Sequence, residues 1–271
     1  MDLVAAQPGC EKCNRHVECG RPGIPSRVGD VSGGNPQRPA LFVVGEQPGW
    51  NETKTGKCFV GKSGGYLTDV YLMPELTQHF SAVYLGNAIR CENRRNIAVT
   101  HLAACRPYLM ADIRAILDEH GRLVILALGR YASMCLLNRG ARDAFKIQGQ
   151  PLPAAFWLNF PRQPRRKATE HPILDVLSAI DHVKAALNIA TELYPPQRIP
   201  VYSTYHPAAI MSGRNPSYRR AVFDHLSLLA RSMENNQVFS VPIDSEESLP
   251  ILSDVEWSRP GAAHRIPELT E

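Results

Sequence analysis

The sequence predicts an α/β fold, a three-layer α/β/α sandwich around a four-stranded parallel sheet. Two observations lead to this prediction. Four short apolar runs have the length and composition of strands that are buried on both faces. Segments with helical periodicity separate these runs, and strands that alternate with helices are typical of a parallel sheet covered on both sides. The chain has 271 residues, 44% of them hydrophobic, which is enough for one large core.

The four predicted strands are ALFVVG at 40–45, AVYLGNA at 82–88, LVILALG at 123–129 and PVYSTYHP at 200–207. Helices are predicted over 63–76, 98–121, 130–140 and 217–233. Two of these segments end on a glycine, Gly121 and Gly140, and glycine commonly terminates a helix because it accepts the left-handed conformation there. A helix therefore follows each of the first three strands, as expected for a parallel sheet.

The remaining sequence adds two segments to the main domain. We predict one domain over 1–233, with an inserted segment at about 141–199 and an acidic C-terminal tail over 234–271. The first part of the insertion is rich in proline and carries Trp157 and Phe160 in an irregular context, and its last part has helical periodicity. The tail lacks clear periodicity, so we expect an extended or partly disordered strap.

Composition indicates an intracellular, cytoplasmic protein without a membrane partner. The sequence has no run of about 20 apolar residues, as a membrane helix needs, and its N-terminal apolar run is too short for a secretory signal. The formal net charge is +4, and basic residues concentrate in CENRRN, PRQPRRK and SGRNPSYRR. Such clusters favour a polyanion such as DNA as the partner, although solvated loops carry them too.

The spacing of the cysteines points to a metal site. Seven cysteines are an odd number, and inside a cell cysteines serve metal binding or catalysis more often than disulfides. Cys10 and Cys13 form a C-x-x-C, while Cys91 and Cys105 lie fourteen residues apart. A C-x-x-C brings two thiolates to one metal, and two further cysteines complete a four-thiolate shell. Unrelated buried thiols are the alternative interpretation.

A glycine-rich loop, GEQPGWNETKTGKCFVG at 45–61, follows the first strand and carries Glu46 and Glu52. Because ligands of parallel sheets bind beyond the carboxyl ends of the strands, we expect this loop to converge with Asn87 and His206 on one crevice. A phosphate-binding P-loop is excluded, since no G-K-[ST] follows and carboxylates repel phosphate.

Five segments in order resemble the iron–sulfur class, family 4, of the uracil-DNA glycosylase superfamily. They are CEKC, GEQPGWNETKTGKCFVGKSGGYL, GNAIRCENRRN, AACRPYL and TYHPAAIM, and the resemblance runs from Cys10 to about Leu229. It implies a uracil-DNA glycosylase-like fold and a monofunctional DNA glycosylase, which flips out a base and hydrolyses its N-glycosidic bond to leave an abasic site. The resemblance also implies that uracil is the excised base by default and that the context is DNA repair by base excision. The expected oligomeric state is a monomer.

The resemblance also implies the cofactor. The cysteines that match the family's cluster ligands are Cys10, Cys13, Cys91 and Cys105, which would hold a [4Fe–4S] cluster of structural role. Cys19 is a competing ligand. We interpret the last two cysteines, Cys58 and Cys135, as packing residues.

Breaking the glycosidic bond creates a sugar cation and an anionic base. The site therefore needs one group that stabilises positive charge and one that stabilises negative charge. Glu46 is expected to orient or deprotonate the attacking water and to stabilise the cation, and His206 to donate to a carbonyl oxygen of the departing base. The alternatives are a helix-capping carboxylate and a structural His-Pro.

By resemblance, Phe59 stacks on the flipped base and Asn87 reads its Watson–Crick edge; the alternatives are a core phenylalanine and a turn asparagine. The loop residues Gln47 and Glu52 complete the predicted base-binding set. The predicted DNA contacts are Ser63 and Gly64 with the neighbouring Gly61 and Gly65, the apolar wedge Ile210 and Met211, and the backbone-binding Arg214, Arg219 and Arg220.

Three residues of the pocket loop depart from the family pattern. Gln47 replaces a small residue, Thr53 an aspartate and Cys58 a proline. These changes and the long insertion leave open a glycosylase for a bulky modified cytosine, such as glucosylated hydroxymethylcytosine of phage DNA, in antiviral defence. A non-catalytic DNA-binding protein on the same fold is the third hypothesis. A covalent trap for uracil is not predicted, because no histidine precedes His101 in the basic loop.

Overall fold

The computed structural model describes residues 10–17, 19, 23–30, 35–92, 97–137, 156–160, 197–213 and 215–235. The chain divides into two compact units. The first contains Met1–Phe156 and Pro200–Glu271, and the second is Trp157–Ile199. The predicted division into a domain, an insertion and a tail stays a prediction.

The first unit is built on a mixed sheet. Its strands are β1 (Arg27–Val28), β2 (Ala40–Gly45), β3 (Val83–Asn87), β4 (Leu123–Leu128) and the C-terminal part of β6 (Gln197–Thr204), in the order β1-β3-β2-β4-β6. The four predicted strands are all present, and each pairs in parallel with its neighbour. The short β1, which pairs antiparallel with β3, is an addition that two residues without an apolar run did not predict.

The register of the parallel strands brings their carboxyl ends together. Gly45 pairs with Asn87, so the loops after β2 and β3 leave the sheet side by side. Leu128 pairs with Thr204, two residues before His206. Because parallel strands end at the same edge, the predicted crevice has walls from three separate parts of the sequence.

Helices cover both faces of the sheet, as the three-layer prediction requires. Alternate side chains of a strand point to opposite faces. One face, which includes Leu41 and Leu126, packs in a common core with Leu67 and Leu226 of the covering helices. The opposite face of β2 and β4 contacts α4 (Val99–His120) and α5 (Gly129–Leu137).

The other helices are α1 (Trp50–Thr55), α2 (Lys62–Tyr66), α3 (Pro74–Thr77), α6 (Pro207–Met211) and α7 (Ser217–Glu234). The helix predicted over 63–76 is interrupted: a π-helical turn, Leu67–Tyr71, follows α2, and α3 begins at a proline. Proline lacks the N–H that would continue a helix but is well suited to a first turn. The long α4 ends where predicted, at Gly121 in the left-handed conformation.

In the second unit, the structure describes residues 157–160 of β5 (Phe156–Phe160) and residues 197–199 of β6, and these two strands are neighbours. The sequence predicted irregular structure around Trp157 and Phe160, so the presence of a strand corrects that prediction. The helix predicted near the end of the insertion and the tail beyond residue 235 lie outside the described residues. No helix in the described part of the chain is long and apolar enough to cross a bilayer.

Candidate active site

A cavity of about 280 Å³ opens at the carboxyl ends of the strands. This is close to the lower limit for small-molecule pockets, which suits a ligand with a single small ring. The predicted site residues that line it are Gln47, Glu52, Phe59, Ser63, Asn87 and His206. Residues from β3, from the loop after β2 and from the end of β6 therefore meet at one place, as the sequence predicted.

Gly45, the last residue of β2, shows how closely two of these side chains converge. A Cβ atom built on Gly45 would lie 2.6 Å from Oδ1 of Asn87 and 2.6 Å from Cζ of Phe59. The amide and the edge of the aromatic ring thus share the space that the missing side chain leaves open. Asn87 is only 3% exposed and Phe59 8% exposed, so both form the floor of the cavity rather than its rim.

The backbone of the loop is bent sharply to place the Phe59 ring. Phe59 has φ of 56°, the left-handed region, which is costly for a bulky residue unless its surroundings hold it there. Gly64 packs directly beneath it, because a Cβ on Gly64 would lie 2.1 Å from the Phe59 carbonyl oxygen. Gly64 was predicted as a DNA contact, and the structure gives it this supporting role at the pocket floor.

Glu52 holds the two ends of the same loop together. Its Oε2 accepts a hydrogen bond from the Gly49 N–H at 3.0 Å, and its Oε1 accepts from the N–H groups of Val60 and Gly61 at 3.0 and 2.8 Å. The sequence predicted Glu52 as a base-binding residue. Because both oxygens are bonded to backbone, the structure assigns the carboxylate to the loop that carries Phe59, although it also lines the cavity.

His206 is the N-cap residue of α6, and contacts hold both its ring and the preceding residue. Its Nδ1 accepts a hydrogen bond from the Ala208 N–H at 3.2 Å, so in the neutral ring the proton resides on Nε2. The Tyr71 hydroxyl donates to the carbonyl oxygen of Tyr205 at 2.8 Å, and the Tyr205 ring stacks on Tyr218 with 4.1 Å between centroids. Burial lowers the pKa of His206 to about 4, against the opposing effect of the Glu52 charge. The ring is therefore a neutral donor at neutral pH.

Glu46 is not among the residues that line the cavity; its neighbour Gln47 is. The predicted arrangement, with Glu46 and His206 facing each other across the cavity, is therefore not what the cavity walls show. Burial raises the pKa of Glu46, while the positive charges of Arg130 and Arg15 partly offset that rise. Glu46 is thus a half-buried carboxylate just after β2, and the charges of two arginines act on it.

Arg15 connects the N-terminal arm to this loop. It follows Cys13 in a short 3₁₀ turn, Asn14–Val17, and is only 1% exposed. Its guanidinium donates to Oε1 of Gln47 and lies 3.5 Å from Nδ1 of His101 on α4. Sequence patterns did not single out Arg15, because an arginine two residues after a C-x-x-C has no intrinsic signature.

The predicted cluster cysteines lie in one region. None is in a disulfide. The pKa of Cys91 is raised to about 12, mainly by burial; a hydrogen bond with the Gly23 backbone opposes the rise, and Cys19, Cys105 and Cys13 add to it. Burial also raises the pKa of Cys105, to which Cys13 and Cys10 contribute. In the described part of the chain, however, no three or more histidine, cysteine, aspartate or glutamate residues are arranged to hold a metal ion.

Around these thiols, the donor set fits an iron–sulfur cluster in its chemistry: several free cysteines whose charges act on one another. A buried ion pair supports the region, because Arg90, next to Cys91, bonds Asp112 of α4, the helix that carries Cys105. Cys19 also acts on Cys91, so it stays an alternative ligand. Cys58 and Cys135 are fully buried, as expected for packing residues.

The predicted DNA contacts are spread along the rim. Ser63 lines the cavity, and Met211 is 43% exposed on α6. Ile210 is partly buried against the hydrophobic core, and the wedge of Ile210 and Met211 stays a prediction. Arg214 lies outside the described residues. Arg219 is exposed on α7, whereas Arg220 pairs with Asp224 at 3.2 Å.

Two rim residues were missed by the sequence prediction. Trp50, at the start of α1, is 59% exposed and lines the cavity, and the amine of Lys54 lies 4.8 Å from the centre of its ring. Lys62, at the start of α2, is exposed and lines the cavity as well. An exposed tryptophan in a glycine-rich loop is the signal that could have found the first of them.

Comparisons with known proteins agree with the motifs. Residues 31–227, well over half of the chain, match the model of the uracil DNA glycosylase superfamily. The chain is 31% identical to a type-4 uracil-DNA glycosylase of Thermotoga maritima over 155 residues, which are 56% of this chain and 73% of that protein. It is 28% identical to one of Archaeoglobus fulgidus over 139 residues, 51% of this chain and 63% of that protein.

A third relative, a type-4 uracil-DNA glycosylase of Sulfurisphaera tokodaii, is 30% identical over 115 residues, which cover 42% of this chain and 50% of that protein. The chain thus spans between half and about three quarters of the length of these relatives. The family match runs from before β2 into α7 and includes all the residues that line the cavity. The chain therefore belongs to the uracil DNA glycosylase superfamily, and it is a DNA glycosylase, as the sequence motifs predict.

Proposed function

We propose that this chain removes uracil from DNA by hydrolysing the N-glycosidic bond of a flipped-out nucleotide, and that it serves DNA repair. One observation carries the proposal: the Phe59 ring, the Asn87 amide and the His206 imidazole line a single cavity that has room for one small ring. The relatives that match are named type-4 uracil-DNA glycosylases, which favours uracil as the base. These names lend no support to a modified-cytosine glycosylase in antiviral defence or to a non-catalytic protein.

Recognition of the base is assigned to the cavity floor. An aromatic face supports a flipped base by stacking, and a carboxamide can pair with the donor and acceptor on the edge of uracil. Phe59 and Asn87 supply these two groups, and the absence of a side chain at Gly45 lets them lie close together. A side chain at Gly45 would collide with both groups and displace them from the floor.

Departure of the base requires a donor to the oxygen that gains negative charge. His206 is suited to this role because its Nδ1 is occupied by the Ala208 N–H, which leaves the proton on Nε2. Because burial lowers its pKa to about 4, the ring stays neutral between pH 5 and 9 and keeps its proton on Nε2. A fixed donor of this kind costs no reorganisation during the reaction, which is why it stabilises developing charge well.

We assign Glu46 to the attacking water and the sugar cation. Glu46 directly follows the last residue of β2 and directly precedes Gln47, which lines the cavity. Burial raises its pKa, so it binds a proton more readily than an exposed glutamate would. The charges of Arg130 and Arg15 oppose this rise and favour the ionised carboxylate, the form that a base or a cation stabiliser needs.

The rim is suited to the DNA strand. Ser63 and Lys62 offer a hydroxyl and an ammonium group for phosphates, and the exposed Trp50 and Met211 offer apolar surface to neighbouring bases. One chain supplies all of these groups, so we expect the protein to act as a monomer.

Four cysteines are assigned to a [4Fe–4S] cluster: Cys10, Cys13, Cys91 and Cys105. When bound, such a cluster supplies a covalent crosslink between chain segments, since glycoside hydrolysis transfers no electrons. The crosslink would tie the N-terminal arm, with Arg15, to the loop after β3 and to α4. Iron and sulfide content, with absorbance in the visible region, measures whether the purified protein carries it.

The experiment for the proposed activity uses a labelled oligonucleotide with one uracil, single-stranded and paired, followed by alkaline cleavage at abasic sites. We expect cleavage at uracil and none in a matched oligonucleotide with thymine. Glu46→Gln should lower kcat by about a hundredfold or more with little change in KM, since base catalysis contributes that much. Purified, folded protein that binds this DNA and releases no uracil would overturn the proposal.

A further inference from the structure

We propose that Cys58 is a positioning residue that holds the Asn87 carboxamide in one of its two orientations, and that it thereby sets the preference of the pocket for uracil over cytosine. This inference rests on the proposed function. Cys58 is fully buried beneath the cavity floor, directly before Phe59. It is not one of the four cysteines assigned to the cluster, and it stands where the family motif has proline, whose side chain forms no hydrogen bond.

Two contacts carry the inference. The Cys58 thiol donates to the carbonyl oxygen of Pro25 at 3.1 Å from Sγ. The Nδ2 of Asn87 donates to the same Sγ at 3.6 Å, a normal separation for a hydrogen bond to sulfur. The sulfur thus links the segment before β1, the pocket loop and the end of β3.

The single proton of the thiol determines which end of the amide faces the sulfur. Since this proton points to Pro25, Cys58 offers only lone pairs to Asn87. The amide nitrogen, which carries two protons, can donate to them. The amide oxygen in the same place would face lone pairs with no proton between. Burial raises the pKa of Cys58 to about 12, so the thiol keeps its proton over the working range of pH.

With its nitrogen turned toward Cys58, Asn87 directs its oxygen to the other side. Oδ1 lies 2.6 Å from the position that a Cβ on Gly45 would take, next to the Phe59 ring. The amide therefore presents an acceptor and its remaining N–H donor in a fixed order. Because Asn87 is 3% exposed, water does not compete for these groups at the floor.

The order of donor and acceptor distinguishes the two bases. Uracil has an N–H at position 3 beside a carbonyl oxygen, and cytosine has a bare nitrogen beside an amino group. If the Asn87 amide is oriented to pair with uracil, its donor faces the amino group of cytosine and its acceptor faces the bare ring nitrogen. To pair with cytosine, the amide would have to rotate by half a turn. Sites built for a given hydrogen-bond pattern reject the wrong partner strongly, since buried polar groups are then left unpaired.

The test compares Cys58→Ala and Cys58→Ser with wild-type protein in single-turnover excision from oligonucleotides that carry uracil or cytosine at the same position. For Cys58→Ala, we expect the ratio of the uracil to the cytosine rate to fall at least tenfold. Cys58→Ser should stay within about threefold of wild type, since a hydroxyl also donates once and accepts once. The matched control is Cys135→Ala, which removes another fully buried thiol, on α5, away from the cavity. It should leave the ratio unchanged.

A second measurement does not depend on excision. In ¹⁵N spectra, the side-chain amide protons of Asn87, assigned with Asn87→Ala, should exchange with solvent at least tenfold faster in Cys58→Ala than in wild type. An unchanged ratio and unchanged exchange in folded Cys58→Ala overturn the inference. If wild-type protein releases no uracil, the proposed function fails by itself. In that case amide exchange, with the binding of free uracil and cytosine to each variant, still decides the role of Cys58.

Discussion

Arg15 donates a hydrogen bond to Oε1 of Gln47, so the turn that follows the Cys10 and Cys13 pair is bonded to the loop that leaves β2. Arg15 is 1% exposed, and its charge also acts on Glu46. The N-terminal arm thus places a buried positive charge where it acts on Glu46, the proposed catalytic base. A crosslink that holds the arm would stabilise this placement without taking part in the chemistry.

Replacement of Arg15 by methionine is therefore expected to shift the pH dependence of excision. Without its positive charge, the pKa of Glu46 rises further above the ordinary value. The ionised carboxylate then forms only at higher pH, so the acidic limb of the kcat/KM profile moves upward. A shift of one pH unit lowers the rate on that limb about tenfold.

The matched control is Arg122→Met. Arg122 directly precedes β4, at the end of the strand away from the cavity, and donates a hydrogen bond to the Gln37 carbonyl oxygen. Its profile should coincide with that of wild type. Mutation of Cys10 and Cys13 to serine should move the acidic limb in the same direction as Arg15→Met and should also lower the melting temperature. Coincident profiles for wild type and Arg15→Met would contradict the assignment.

His206→Gln should lower kcat by about a hundredfold to a thousandfold, the usual effect of losing one donor to a developing anion. In wild type, the rate should show no step from this ring between pH 5 and 9, since burial lowers the pKa of His206 to about 4. Nitrogen NMR of the imidazole should show a neutral ring protonated on Nε2. Protonation on Nδ1 would be inconsistent with the bond from Ala208.

The same pKa makes a prediction for stability. The folded protein holds the neutral form of His206, whereas the unfolded chain titrates near 6.5. The contribution of this group to the free energy of unfolding is thus complete above 6.5 and is lost as the pH falls toward 4. Denaturant titrations over this range should show a shallower decline for His206→Gln than for wild type. Equal declines would mean that the ring does not titrate abnormally.

Gly45→Ala should distort the cavity floor. The new methyl would lie 2.6 Å from both Asn87 Oδ1 and Phe59 Cζ, so the two groups proposed to bind the base would have to move. We expect a loss of at least a hundredfold in kcat/KM for uracil. The control is Gly65→Ala in α2, where a Cβ meets nothing within 4 Å. That change should leave the binding of free uracil intact and raise stability by about 0.5–1 kcal/mol, as helical alanine does relative to glycine.

Glu52→Gln should act mainly through stability. The carboxylate accepts three backbone hydrogen bonds at 2.8–3.0 Å, and bonds to a charged acceptor contribute about 1.5–3 kcal/mol each. An amide can accept with only one of its two ends, so we expect the free energy of unfolding to fall by about 2 kcal/mol. Activity should fall with it. Weaker excision at an unchanged melting temperature would instead favour the predicted contact with the base.

The sequence by itself determined the sheet and the residues at its functional edge. Apolar runs and helical periodicity are local patterns, and they place Asn87 and His206 after strands whose carboxyl ends must meet. The motifs of the glycine-rich loop and of TYHPAAIM likewise identify Phe59 and His206 without coordinates. These features depend on a few neighbouring residues each, which is why they can be read along the chain.

Only the tertiary structure decided which contacts each side chain of the site makes. Contacts such as Arg15 with Gln47, Asn87 with Cys58 and Tyr71 with Tyr205 join residues 29 to 134 positions apart. No local pattern encodes them, since each depends on how helices and loops pack over the sheet. The same packing turned Glu52 toward the backbone, left Glu46 outside the cavity walls and placed the proton of His206 on Nε2, because hydrogen bonds are short and directional.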